Sequence, residues 1–214
     1  MATTKTATKD PARTSPRTAK GIERAQQIME IAEKLFHSQG YAQTSMDDIA
    51  RATGLLKGSL YYYMKSKEDL LYRIVEEVHE ISRAQLDAAR QQEGVPALDR
   101  LLHFIEEQVA YLALNVTRVA VYHHEWHRLE GDRLKSVRTA RRAYDDALIA
   151  LLEELQAEGS LAKDANTRLA ANMVLATICW PYTWYRAGTV SAAELSKTCS
   201  DFVRAGLPGM RSVS

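Results

Sequence analysis

Residues 44–70 read TSMDDIARATGLLKGSLYYYMKSKEDL. Thr44 and Asp47 fit a capping-box pattern, and Asp47 and Asp48 favour the positive end of a helix. Met46, Ile49 and Ala50 make a short apolar stripe, and Gly54 ends it after about nine residues. A second short helix follows over Lys57–Met64, and Ser66 caps a further helix from Lys67. Ser45–Thr53 and Lys57–Met64, joined by a tight turn at Gly54, form a helix-turn-helix pattern. The second of these helices begins with small and polar groups, Lys57, Gly58 and Ser59. A helix end of that kind enters a major groove and approaches base edges. Tyr61 and Tyr62 add hydroxyl donors within one turn. Thr44, Lys65 and Lys67 stand at helix ends, where phosphates are favoured. Three consecutive tyrosines cannot share one buried face, because neighbours on a helix are about 100° apart. At least one of Tyr61, Tyr62 and Tyr63 is therefore expected at the surface.

The rest of the chain reads as helix after helix. Upstream, Ile22, Ala25, Met29, Ala32, Leu35 and Phe36 recur at helical steps until Gly40. Downstream, helices are expected from Lys67 to about Gln91, over Leu98–Leu112, over Val119–Leu129 with a stop near Gly131, and over Leu134–Leu155. Two more are expected, from Asp164 to about Arg186 and from a cap at Ser191 to Gly206. That makes about nine helices and no strand, an all-α fold. The expected organisation is a disordered basic tail over 1–20, a DNA-binding unit over 21–66 and a larger all-helical domain over 67–214.

The 214 residues suffice for a sizeable core. No apolar run reaches the roughly 20 residues of a membrane span, and the first 20 residues do not read as a secretory signal. Cys179 and Cys199 are the two cysteines, too few for a disulfide framework. The expectation is a soluble protein of the reducing cytoplasm, without membrane partners. A net charge of +1 hides an asymmetry: residues 1–67 carry 11 Lys/Arg and 6 Asp/Glu, while the remainder carries 17 and 21. A basic front on a mildly acidic body fits a polyanionic partner or a solubilising tail.

The 27 residues quoted above resemble the signature of TetR-family transcriptional regulators, T-x-x-x-x-I-A-x-x-A/T-G-x-x-x-G-x-L-Y-x-Y/H-F-x-S/D-K-x-x-L. Nine helices with the DNA-binding unit first match that family's layout. The resemblance implies that Tyr61, Lys67 and Thr44 contact phosphates and that Lys57, Ser59 and Tyr62 read bases. Two positions depart from the pattern. Leu56 stands where relatives place a Ser or Thr cap, and Met64 where they place Phe. The family layout also implies that residues 67–214 form a ligand-binding and dimerisation domain, and that the chain is a homodimer whose last two long helices pair with their copies. Asn172, Met173, Ala176, Cys179 and Trp180 fit this, on a helix too apolar for a solvated surface.

Two further stretches, WPYTWYRAG over 180–188 and YHHEWHRL over 122–129, resemble repressors of fatty-acid and sterol-ring breakdown. Those respond to acyl-CoA thioesters. Trp180 and Trp184, at i and i+4, are expected to line one wall of an apolar cavity, with Tyr122 and Trp126 beside them. Arg186 and Arg128 are expected to meet CoA phosphates or a carboxylate. The alternatives are another aromatic or hydrophobic effector, a tryptophan-rich core, or an all-α adaptor for acidic proteins. His123 and His127 are spaced for one helix face, which raises a metal-dependent helical enzyme. Yet Glu125 makes H-E-x-H rather than H-E-x-x-H, and no nucleophile elbow, P-loop or dinucleotide fingerprint occurs. Neither a metal, a cofactor nor an enzymatic activity is expected.

Overall fold

The computed structural model describes residues 18–210, which fall into two compact units divided between Leu70 and Leu71. The expected tail lies outside the described residues up to position 17. Thr18 already belongs to the first helix, because its side chain accepts from the N–H of Gly21 at 3.2 Å.

The first unit holds α1 (Ala19–Gln39), α2 (Met46–Thr53), α3 (Lys57–Tyr63) and the first turn of α4 (Lys67–Arg90). α1 ends at Gly40, whose φ of 85° favours glycine, and α2 ends at Gly54 in the left-handed region, φ 66°. Ile28, Ala32, Phe36, Ile49, Leu60, Met64 and Leu70 are buried in its core. Met64 thus fills an interior position, as a Phe would. The start of α2 is shifted by one residue from the sequence reading. Ser45, not Thr44, is the cap, and Asp48, not Asp47, closes the box. The Asp48 N–H donates to Ser45 Oγ at 3.2 Å, and the Ser45 N–H donates to Asp48 Oδ2 at 2.9 Å. Thr44 cannot serve, because it is buried and its hydroxyl donates to the Gly40 carbonyl at 2.9 Å. Ser45→Ala is expected to destabilise the chain by about 1 kcal/mol. Urea unfolding would show this as a lower midpoint with an unchanged slope; an unchanged midpoint would remove the cap from the account.

α3 begins without a side-chain cap, at Leu56. α4 has one: the Asp69 N–H donates to Ser66 Oγ at 3.0 Å.

The second unit contains the rest of α4, then α5 (Ala97–Leu114), α6 (Val116–Glu125), α7 (Gly131–Ala157), α8 (Thr167–Cys179) and α9 (Ala192–Gly206). Nine α-helices and three short 3₁₀ turns thus make up the secondary structure of the described residues, with one isolated bridge between Ala187 and Val190. α5 is central, packing on α7, α8 and most extensively on α9. Leu101, Phe104, Ile105, Leu148, Leu151, Leu155, Ile178 and Val203 join one core cluster. Pro96 gives α5 no side-chain cap, and the Glu158 carboxylate takes the Ala97 N–H instead, at 2.8 Å.

The helix boundaries differ from the sequence reading in three stretches. α6 starts at Val116 and stops at Glu125, and a 3₁₀ turn over Trp126–Arg128 takes its place. Gly131 opens α7 rather than closing what precedes it. The helix expected to reach Arg186 ends at Cys179, and Trp180–Thr183 is a 3₁₀ turn. Pro181 explains the break, since it has no N–H to give the Thr177 carbonyl four residues back. Cys199 of α9 approaches that carbonyl instead, with Sγ at 3.9 Å. No helix of the described residues is long and apolar enough to cross a membrane.

Candidate functional site

Two features of the molecule have the makings of a site, one in each unit. In the first unit, α3 is anchored by Leu60 and Met64, both fully buried. Their i, i+4 spacing fixes which way the short helix faces. Lys57, Gly58, Ser59, Tyr61 and Tyr62 are turned outward. Tyr61 is 44% exposed and Tyr62 51%, while Tyr63 is half-buried against the edge of Tyr62. Leu56, at the head of the helix, is 82% exposed. A Cβ built on Gly58 would meet nothing within 4 Å.

Lys57 is tied to α2. Its Nζ lies 2.8 Å from Asp47 Oδ1, and that hydrogen-bonded partner raises the lysine pKa. Both side chains of the pair are more than half exposed. The Lys67 Nζ donates to the Tyr41 carbonyl at 2.8 Å and lies 4.4 Å from the centre of the Tyr41 ring. It therefore pins the turn between α1 and α2. The Thr44 hydroxyl points inward and is spent on Gly40.

In the second unit, a cavity of about 340 Å³ is lined by α4, α5, α6, α7 and α8. Val78, Leu112, Val119 and Ile178 give it apolar walls, and Arg141, His79, His123 and Tyr144 give it a polar side. Arg141 reaches in from α7 and donates to the Tyr122 hydroxyl at 2.7 Å. Its guanidinium also stacks 4.8 Å from the Trp126 ring centre. The Nε2 atom of His79 is buried and has no hydrogen-bond partner.

Burial, then Arg141, then His124 push the His123 pKa down to about 4, so its imidazole is neutral at physiological pH. Burial likewise lowers His79, raises Asp145, and raises the Cys179 thiol to about 11. The His123 ring stacks on Tyr182 with centres 4.9 Å apart.

A folded-state histidine pKa below the ordinary 6.5 favours folding above that pH, and the gain is lost as pH falls toward 4. His79 acts with the same sign. Asp145 has the opposite one, its contribution fading as pH rises above about 3.8. His123→Gln is therefore expected to flatten the acid side of the stability profile relative to the parent. Urea unfolding at pH 7 and pH 5 checks this; parallel profiles for both proteins would contradict it.

The residues expected at a ligand are placed in three ways. Tyr122 lines the cavity. Trp126 backs it through Arg141. Trp180, Trp184, Arg128 and Arg186 are exposed and do not line it, and Arg128 faces Glu125 at 3.6 Å. Trp180 and Trp184 lose their i, i+4 register because the helix ends before both. His123 and His127 do not share a helix face, since α6 ends between them. No group of three or more potential metal ligands occurs among the described residues. Sequence reasoning missed Arg141, although a signal was there. Val137, Arg141, Tyr144 and Leu148 fall on one helical stripe, and a charged residue within an apolar stripe marks a lined interior.

Comparison with known proteins bears on both features. Residues 28–74, which include α2 and α3, match the family model described as "Bacterial regulatory proteins, tetR family". Residues 94–207 match the model described as "Tetracyclin repressor-like, C-terminal domain". The chain belongs to the tetR family of bacterial regulatory proteins. It is a DNA-binding transcriptional regulator. The HTH-type transcriptional repressor KstR2 of Rhodococcus jostii is 27% identical over 192 residues, 86% of this chain and 91% of the relative. The TetR-family regulator PfmR of Thermus thermophilus is 27% identical, with a TM-score of 0.76 over 85% of this chain and 98% of its own. The structure of AibR with isovaleryl coenzyme A and operator DNA shares the fold, with 22% identity and a TM-score of 0.74 over 87% of this chain and 99% of its own.

Proposed function

We propose that the chain is a homodimeric cytoplasmic repressor, not an enzyme, released from a pseudo-palindromic operator by an acyl-CoA thioester. The cavity beside Arg141 is the observation that carries the effector half of this reading. Its 340 Å³ is at the small end of ligand pockets. It accommodates an acyl group and leaves the nucleotide outside. Apolar walls suit the hydrocarbon, and Arg141, pre-set by Tyr122, donates to an oxygen of the acyl group. The relatives support the same class, since AibR is described with isovaleryl coenzyme A and operator DNA.

On the DNA side, Lys57, Ser59 and Tyr62 read bases and Tyr61 contacts a phosphate. Thr44 leaves that set because its hydroxyl is buried. Lys67 acts through the turn it pins, with its charge close to the backbone of the DNA. Leu169, Met173 and Trp180 follow one line along and just beyond α8, and Phe202 projects from α9; each is at least half exposed. Exposed large apolar side chains on the last two helices mark an interaction surface, here the two-fold dimer face. α4 is the proposed lever. Val78 and His79 on it line the cavity, and Lys67 at its start holds the Tyr41 carbonyl.

Thermal melting against a panel of CoA thioesters and free acids tests the effector class. A thioester at about 100 times its dissociation constant should stabilise by about 2.7 kcal/mol, and Arg141→Met should abolish the shift. If no thioester shifts the melt while another aromatic ligand does, the acyl-CoA class is wrong.

A further inference from the structure

We infer that α3 meets DNA at van der Waals distance through Gly58, with Leu56 seated on the 5-methyl group of a thymine in the operator half-site. The inference rests on the DNA-binding reading of α3 and adds what that helix recognises.

Two observations inside the chain lack an internal explanation. The first is Leu56. It occupies the N-cap of α3 without a capping bond, where Ser, Thr, Asn or Asp would stabilise the helix. Its side chain is 82% exposed, so the core gains almost nothing from it. The second is Gly58. It lies within α3 with ordinary helical backbone, where glycine is a poor choice. Positive φ does not require it, and no neighbour crowds it, since an added Cβ meets nothing within 4 Å. A glycine kept where neither the backbone nor the interior needs one fits a close approach by something outside the chain.

Both residues sit in the first turn of the outward-facing helix, beside the Lys57–Asp47 pair. In helix-turn-helix docking that turn contacts base edges. Among base edges in the major groove, the apolar group is the thymine methyl. A leucine there discriminates thymine from cytosine, and from uracil by the methyl alone. Lys57, next in the chain, suits the O6 and N7 of a nearby guanine.

The test uses the full chain and a duplex that it selects from a random library. Each thymine of the selected half-site is replaced in turn by deoxyuridine, on both half-sites together. One symmetric position is expected to weaken binding by about fourfold per half-site, the effect of one buried methyl. Leu56→Ala is expected to bind the thymine and uracil duplexes alike. Circular dichroism and melting serve as fold controls, which an exposed side chain should pass. Gly58→Ala is expected to melt no lower than the parent yet bind at least roughly tenfold more weakly, as an extra methyl in a packed interface would. Sensitivity to uracil at no position, or the same sensitivity retained in Leu56→Ala, would overturn the thymine contact. Full affinity in Gly58→Ala would overturn the close approach. Failure of the unaltered chain to enrich any duplex would instead overturn the DNA-binding reading itself.

Discussion

Met173→Asp combined with Phe202→Asp is expected to convert the protein to monomers and to lower operator affinity at least about 100-fold. Both side chains are more than half exposed in the single chain, at 51% and 70%, so the fold does not depend on them. On the proposed dimer face they would be packed against their copies. A carboxylate there would be desolvated without a cationic partner, at a cost of several kcal/mol. Losing the dimer uncouples two recognition helices that otherwise bind as one unit, and such linkage is worth about 10²–10⁴ in affinity. Sedimentation gives the mass and fluorescence anisotropy gives the affinity. A variant that stays dimeric and binds its operator normally would remove this face from the account.

Phe104→Ala is the second large expected effect. Phe104 is fully buried in α5, the central helix of the second unit, with its ring 6.4 Å from that of Tyr144. Truncation removes the transfer free energy of the ring and leaves a void that five packed helices cannot close. The expected loss is about 3–5 kcal/mol. At this chain length it corresponds to a melting shift of roughly 6–20 °C. Because Tyr144 lines the cavity, effector affinity should fall as well. A loss below about 1 kcal/mol would mean that α5 is not the centre of the packing.

The local signals in the chain were legible because they act over one helical turn. Gly40, Gly54, Ser66 and Ser191 each stop or start a helix as their chemistry requires. The capping box slipped by one residue because Thr44–Asp47 and Ser45–Asp48 satisfy the same pattern. The choice is made by tertiary burial of Thr44, which no local rule contains. The break after Cys179 was foreshadowed by Pro181, but an apolar run on both sides masks such a stop. Arg141 belongs to a long-range arrangement. It becomes a cavity residue only when Tyr122, 19 positions earlier, is brought to its guanidinium. Trp180 and Trp184 show the converse: aromatic residues read as interior walls stand at the surface, at 64% and 52% exposure. Hydrophobic character alone does not distinguish a core from an interface between copies.

Effector-released repression requires that the thioester bind a DNA-incompetent conformation more tightly than the DNA-competent one. Linkage makes the coupling reciprocal, so operator DNA must weaken thioester binding by the factor with which the thioester weakens operator binding. The decisive measurement is therefore a pair of titrations of the full chain. One measures operator affinity with and without saturating thioester; the other measures thioester affinity with and without operator. The account predicts equal losses in both, of roughly 5–150-fold. Operator affinity unchanged by a thioester that demonstrably binds the cavity would contradict it.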